Sequence, residues 1–200
     1  ECLPSAQFAA VARPAIEHGR IFMPLSVGML INHMRLVDRA RETGARIIVP
    51  TGALLGLDAV RAAAEGKISS VRIVTRKPPG GLAGAPLLVE RGISVDGLKE
   101  PLRVFEGTAR EAIAGFPANV NVAVALSLAG IGPDQTRAEI WADPGVTRNT
   151  HTILLKSDST DLTMTIENVP SEENPRTGKI TALSVLAALR RLTAPLVVGS

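Results

Sequence analysis

The stretch from Ala45 to Pro78, "ARIIVPTGALLGLDAVRAAAEGKISSVRIVTRKP", decides the fold class. "ARIIVP" and "SVRIVTRKP" are short and largely apolar, rich in β-branched residues, as strands buried on both faces are. Between them lie a glycine-rich turn, "TGALLG", and a helix, "LDAVRAAAEG", that stops at a glycine. Strand, turn, helix and strand at this spacing argue for a parallel sheet covered by helices on both faces.

Working towards the N-terminus, the same alternation continues. "INHMRLVDRARETG" has apolar residues at helical spacing and a stop at Gly44, and "RIFMPLS" is a short apolar strand. "PSAQFAAVARPAIEHGR" reads as a helix with an internal flaw at Pro14, which is expected to kink or split it. The texture changes after the Pro/Gly-rich loop "PPGGLAGAP", Pro78 to Pro86. "LRVFEG" is a strand, "TAREAIAGF" and "NVNVAVALSLAG" are helices, and "TRAEIWAD", "HTILLKSD" and "DLTMTIENV" are expected to be antiparallel strands joined by short turns. "TGKITALSVLAALRRL" is a final helix and "PLVVG" a closing strand. The expected fold is therefore α/β: a partial Rossmann-type doubly wound parallel sheet, followed by an α+β domain with a mixed or antiparallel sheet. The expected divisions are 1–56, 57–182 and 183–200, the last a helix and strand returning to the first domain.

Bulk properties exclude several classes. A net charge of +3 spread without long basic runs, 2% aromatic residues and no tyrosine argue against nucleic-acid binding, because stacking platforms are missing. The one cysteine, Cys2, forms neither an internal disulfide nor a thiolate metal site, which fits a reducing cytoplasm. No apolar run is long enough to span a bilayer, and no carboxylate cluster has metal-ligand spacing, so no membrane and no metal are expected.

Ligands of doubly wound sheets sit beyond the carboxyl ends of strands, which singles out Pro24 to Gly28 and Val49 to Gly56, though both also suit ordinary strand-to-helix turns. No GxGxxG follows a strand. Asn119 and Asn121 stand at the start of an otherwise apolar helix: Asn119 is a natural N-cap, whereas Asn121, two residues into a helix that reads as buried, has an amide that needs partners, either a carboxamide ligand or backbone carbonyls. Of three histidines, His18 ends a helix where a cation suits the dipole, and His33 sits in a charged helix and is expected to be solvated. His151 follows "DPGVTRNT" at the start of a strand. It is either an idle hairpin residue or a proton-transfer group, with Arg148 nearby as a carboxylate anchor. "ENVPSEENPRTGK" is a polar connection in which Ser171 or Thr177 is expected to cap the last helix.

Taken in order, "LSVGML", "VPTGALLGLDAVRAA", "TRKPP", "FEGTAREAIAGFPANVNVAVALSLAGIG", "ADPGVTRNTH" and "ENVPSEENPRTGKITALSVLAALRRL" resemble the L-aspartate dehydrogenase family over nearly the whole chain. The resemblance implies a dinucleotide-binding domain, a catalytic and dimerisation domain, and oxidation of L-aspartate with NAD or NADP to iminoaspartate, feeding NAD biosynthesis. It implies His151 as the catalytic histidine, Ala53 and Asn121 as cofactor-contacting positions, and a homodimer or higher homo-oligomer. It also implies a GxGxxG unit ahead of Glu1, so these 200 residues are expected to be part of a longer enzyme. The alternatives are an oxidoreductase like homoserine dehydrogenase or dihydrodipicolinate reductase, and a non-catalytic dimerisation domain.

Overall fold

The computed structural model describes residues 1–117, 120–173 and 177–199. The chain forms two compact units, Glu1–Pro50 and Thr51–Ser200.

In the first unit α1 (Phe8–Glu17) leads into β1 (Ile21–Phe22), followed by α2 (Val27–Ile31), α3 (Arg35–Thr43) and β2 (Arg46–Ile47). The two strands pair in parallel, Ile21 with Arg46 and Phe22 with Ile47, as the strand–helix alternation predicts. They are shorter than the apolar runs that signal them. Pro14 neither splits nor ends α1, which runs through it unbroken. Phe8, Ile16, Phe22 and Leu30 form the core, with the Phe8 and Phe22 rings edge to face at 5.6 Å. His33 departs from expectation: it is half-buried between α2 and α3, its Nδ1 2.9 Å from the Met29 carbonyl and its ring against Phe8. His18 stands at the end of α1, with Nδ1 2.8 Å from the Pro14 carbonyl.

The second unit is built on one five-stranded sheet. After α4 (Leu57–Ala64) come β3 (Ile68–Lys77), α5 (Pro86–Glu90), β4 (Leu102–Thr108), α6 (Ala109–Gly115), α7 (Asn121–Ala129), β5 (Arg137–Ala142), β6 (Thr150–Ser157), β7 (Asp161–Glu167) and α8 (Lys179–Arg191). The strand order is β4-β5-β3-β6-β7, with β3 and β5 parallel and every other neighbour antiparallel. The α/β class with a mixed sheet is thus present, with two differences in detail. β3 does not continue the parallel sheet of β1 and β2 but is the central strand of the second sheet. β5 and β6 do not pair with each other, because β3 lies between them. A helix-bearing crossover between β3 and β5 makes that parallel pairing possible. The Pro/Gly-rich segment after β3 is also less irregular than its composition suggests: Pro79–Gly81 is a 3-10 turn, and Pro86 starts α5, where its missing N–H costs nothing.

Burial alternates along β3 and β6. Val71, Ile73, Thr75 and Lys77 on one strand, and His151, Ile153 and Leu155 on the other, face the covered side. A Cβ added to Gly130, just past α7, would lie 3.2 Å from Val60 of α4 and 3.6 Å from Val71, so a larger residue there would press on the side chains between helix and sheet. α6 begins with a capping box in which Glu111 N–H donates to Thr108 Oγ1 (3.1 Å) and Thr108 N–H to Glu111 Oε2 (2.7 Å). α8 is entered at Gly178 without a side-chain cap, so neither Ser171 nor Thr177 plays that part, and "PLVVG" is irregular rather than a strand. Asn119, read as the N-cap of α7, lies outside the described residues. None of the described helices is long and apolar enough to cross a membrane.

Candidate active site

One end of this sheet gathers the polar groups that a hydrophobic core would exclude. Thr75 on β3 and His151 on β6 are register partners, both buried, with Thr75 Oγ1 3.0 Å from His151 Nδ1. Burial, reinforced by the nearby positive charge of Lys77, drives the imidazole pKa down to about 3. His151 is therefore neutral at working pH. With Nδ1 engaged by the threonine hydroxyl, Nε2 is the nitrogen left to meet another molecule.

Lys77 lies two residues beyond Thr75 on the same face and is 6% exposed. Burial lowers its ammonium pKa to about 8. The adjoining turn after β5 is tied by three hydrogen bonds of Asp143: Oδ1 accepts from Gly145 N–H at 2.8 Å, Oδ2 accepts from Arg76 at 2.8 Å, and its N–H donates to the Lys77 carbonyl at 2.8 Å. Arg148, by contrast, is exposed in the turn that precedes β6.

The Gly52–Ala53 turn is held from two sides. Gly52 N–H donates to Ser184 Oγ of α8 (3.0 Å), and Asn168, at the end of β7, donates through Nδ2 to the Ala53 carbonyl (3.0 Å). Asn168 is itself fixed by its backbone N–H on the Asn149 carbonyl (2.9 Å), two residues before His151. Its Oδ1 is buried and accepts no hydrogen bond among the described residues. Gly52 has φ +64, where glycine is favoured, and a Cβ built on it meets nothing within 4 Å. At Gly52 the turn thus offers an open stretch of backbone of the kind a flat ring approaches, which fits a nicotinamide cofactor.

Asn121 lies at the start of the largely buried α7, where the sequence places it, but as the first residue of that helix it is exposed rather than buried. The structure thus connects Ala53 to the β7 end next to His151, while Asn121 stands at a helix N-terminus. Pro24 to Gly28, the other strand-end candidate, leads from β1 into α2 in the first unit. Thr75, Lys77, Asn168 and Ser184 went unread in the sequence. For Thr75 and Lys77 a signal exists: in "VRIVTRK" they prolong the period-2 face begun by the apolar Val71 and Ile73.

The second unit is thus of the α/β class, a mixed sheet whose end carries a buried, neutral histidine and whose last strand leads to the residue that clamps a glycine turn. Residues 58–192 match the family model described as "Aspartate dehydrogenase, C-terminal". The whole chain is 60% identical to an L-aspartate dehydrogenase of Bradyrhizobium diazoefficiens, covering 71% of that protein, and 58% identical to L-aspartate dehydrogenase 3 of Bordetella bronchiseptica, covering 73%. The crystal structure of aspartate dehydrogenase from Thermotoga maritima superposes with a TM-score of 0.83 at 26% identity, over all of this chain and 77% of that one. The chain belongs to the aspartate dehydrogenase family.

Proposed function

We infer that this chain oxidises L-aspartate to iminoaspartate, which hydrolyses to oxaloacetate and ammonia, using NAD or NADP as hydride acceptor. The observation that carries this reading is the Thr75–His151 pair at the sheet end, adjoining a Gly52–Ala53 turn clamped by Ser184 and Asn168. Relatives named for this activity, at up to 60% identity over the full chain, support it.

When bound, the nicotinamide supplies the hydride-accepting chemistry. The chain's own groups supply position and proton control. Gly52 and Ala53, whose backbone is positioned by the Ser184 and Asn168 hydrogen bonds, would hold the nicotinamide. Asn121 is proposed as a further cofactor contact. His151, neutral and steered by Thr75, takes a proton at Nε2 from the substrate amine or from the water that attacks the imine. Acid–base help of this kind contributes about 10²–10⁴-fold in rate.

We further propose that residues 1–56 complete a dinucleotide-binding domain of Rossmann type and that the protein works in the cytoplasm, in NAD biosynthesis, as a homodimer. The dimer reading is supported by the other face of the sheet, which carries the half-buried Trp141 and an exposed Leu154. The decisive experiment is L-aspartate-dependent formation of NADH or NADPH at 340 nm. Turnover with L-aspartate is expected; turnover with L-homoserine instead, or with no amino acid offered, overturns the reading.

A further inference from the structure

α8 starts without the cap that its first position invites. Gly178 is the N-cap residue, at φ −71 and ψ 140, a conformation open to any amino acid, and it has no side chain to offer the first N–H groups of the helix. Serine, threonine, aspartate and asparagine are favoured at such a position, and α6 of the same chain uses Thr108. Backbone geometry therefore does not call for glycine at 178.

Space does. A Cβ built on Gly178 would stand 2.9 Å from Asn168 Oδ1, 3.2 Å from Asn168 Cβ and 3.3 Å from Asn168 Cγ. Gly178 thus packs against the amide that donates through Nδ2 to the Ala53 carbonyl. Oδ1, the atom nearest to that added carbon, is buried and accepts no hydrogen bond among the described residues. One hydrogen bond and this contact therefore set the rotation of the amide. An added methyl group turns it, and turning it draws Nδ2 off the carbonyl.

Neither side is free to retreat. Gly178 forms an antiparallel bridge with Pro170, Ser171 N–H donates to the Thr177 carbonyl (2.8 Å), and Lys179 N–H donates to the Val169 carbonyl (2.8 Å). The entry of α8 is thereby tied to the chain that leaves Asn168. From the same helix Ser184 Oγ donates to the Thr181 carbonyl (2.8 Å) while accepting from Gly52 N–H. The start of α8 thus governs both hydrogen bonds on the Gly52–Ala53 turn, one through Ser184 and one through the room left at Gly178.

We propose that Gly178 is a positioning residue for the cofactor, its missing side chain letting Asn168 keep the Ala53 carbonyl in place. The proposal rests on the reading of the Gly52–Ala53 turn as the nicotinamide's seat, and extends that reading to a residue that acts through Asn168.

Gly178→Ser is the informative substitution, because the two demands on the position oppose each other in it. At a helix start serine is the better residue; beside Asn168 its Cβ has no room. Gly178→Ser, Gly178→Ala, Asn168→Ala and the double variant Asn168→Ala/Gly178→Ser are made in the full chain. Each is titrated calorimetrically with NADH and with NADPH, with circular dichroism to establish folding. The nucleotide that the parent binds is expected to bind Gly178→Ser about 3–10-fold more weakly, as loss of one hydrogen bond allows. Its KM should rise more than that for L-aspartate. In the double variant the amide is gone, so serine at 178 should add no further loss to that of Asn168→Ala. Parent-like nucleotide binding by whichever Gly178 variant folds, losses that multiply in the double variant, or a parent that binds neither nucleotide overturns the proposal. Should both single Gly178 substitutions unfold the chain, recovery of folding in the double variant carries the steric claim, and no recovery sinks it. Nucleotide binding that depends on Gly178 without L-aspartate turnover would instead keep the positioning role and sink the assigned activity.

Discussion

Thr75 Oγ1 and His151 Nδ1 stand 3.0 Å apart across adjacent strands, both side chains buried. The register of β3 against β6 fixes this pair, so the ring's orientation is a property of the sheet rather than of a loop. Replacing His151 by Ala is expected to lower kcat by about 10²–10⁴-fold while cofactor affinity stays within a few-fold. Thr75→Val keeps the shape but frees the ring nitrogen; kcat should fall by about 5-fold, with little change in KM, as loss of one buried hydrogen bond of about 1 kcal/mol allows. Steady-state kinetics separate the two, and a Thr75→Val enzyme as impaired as His151→Ala would make the threonine more than a support.

The same burial makes the fold sensitive to acid. The His151 pKa lies near 3 in the folded chain, against an ordinary value of 6.5. Between those limits the unfolded chain binds a proton that the folded chain does not, so stability is lost as pH falls. Above pH 6.5 both forms are neutral and the group contributes nothing to the slope. The loss is on the order of 1.4 kcal/mol per pH unit below 6.5. Comparing urea midpoints of the parent and His151→Gln from pH 7.5 to 4.5 should show the parent losing more stability over that interval; parallel curves would mean that the imidazole is accessible to protons.

How much of this could be read in the sequence depends on the range of the interactions. Local patterns show through: the helix that follows Thr108, the helix stop at Gly44 and the strand alternation of β6 follow from neighbouring residues. Long-range pairing does not. β3 looks like a third strand of the first sheet because its apolar run resembles β2, but its partners, β5 and β6, lie more than 60 residues further on. For the same reason His151 is visible as a candidate while Thr75, 76 positions earlier, is not. Asn121 shows the opposite error: the apolar run of α7 suggested a buried amide, but position at the helix start leaves it exposed. Asn168 sits in a polar stretch in which no local pattern signals its burial.

Asn168 carries the next prediction. Its Nδ2 holds the Ala53 carbonyl at 3.0 Å, and it is 4% exposed. Asn168→Ala removes the donor, leaves that carbonyl without it and opens a small void, at a cost of about 1–3 kcal/mol in stability. Asn168→Asp keeps the size but replaces the donating amide by an acceptor that repels the carbonyl, so it should be at least as damaging. Both variants are expected to raise the KM for the nicotinamide nucleotide more than that for L-aspartate, because the turn rather than His151 is loosened. Chemical denaturation and two-substrate kinetics test this, and an Asn168→Ala chain with parent-like cofactor KM would detach the clamp from cofactor binding.

On the opposite sheet face, Glu139 is buried although its partner Arg72 is half-exposed. The carboxylate also accepts from Trp141 Nε1 at 3.0 Å, and Arg76 lies 4.8 Å from the tryptophan ring centre. Glu139 therefore depends on Arg72 for its charge and on Trp141 for a second hydrogen bond. Arg72→Ala strands a buried negative charge and should destabilise the chain by about 1–3 kcal/mol, less than for a fully desolvated pair because water reaches the arginine. Glu139→Gln in the Arg72→Ala background removes the charge while retaining an oxygen for Trp141. It should recover a large part of the loss. A double variant no more stable than Arg72→Ala would show that the arginine acts through packing over the sheet rather than through the carboxylate.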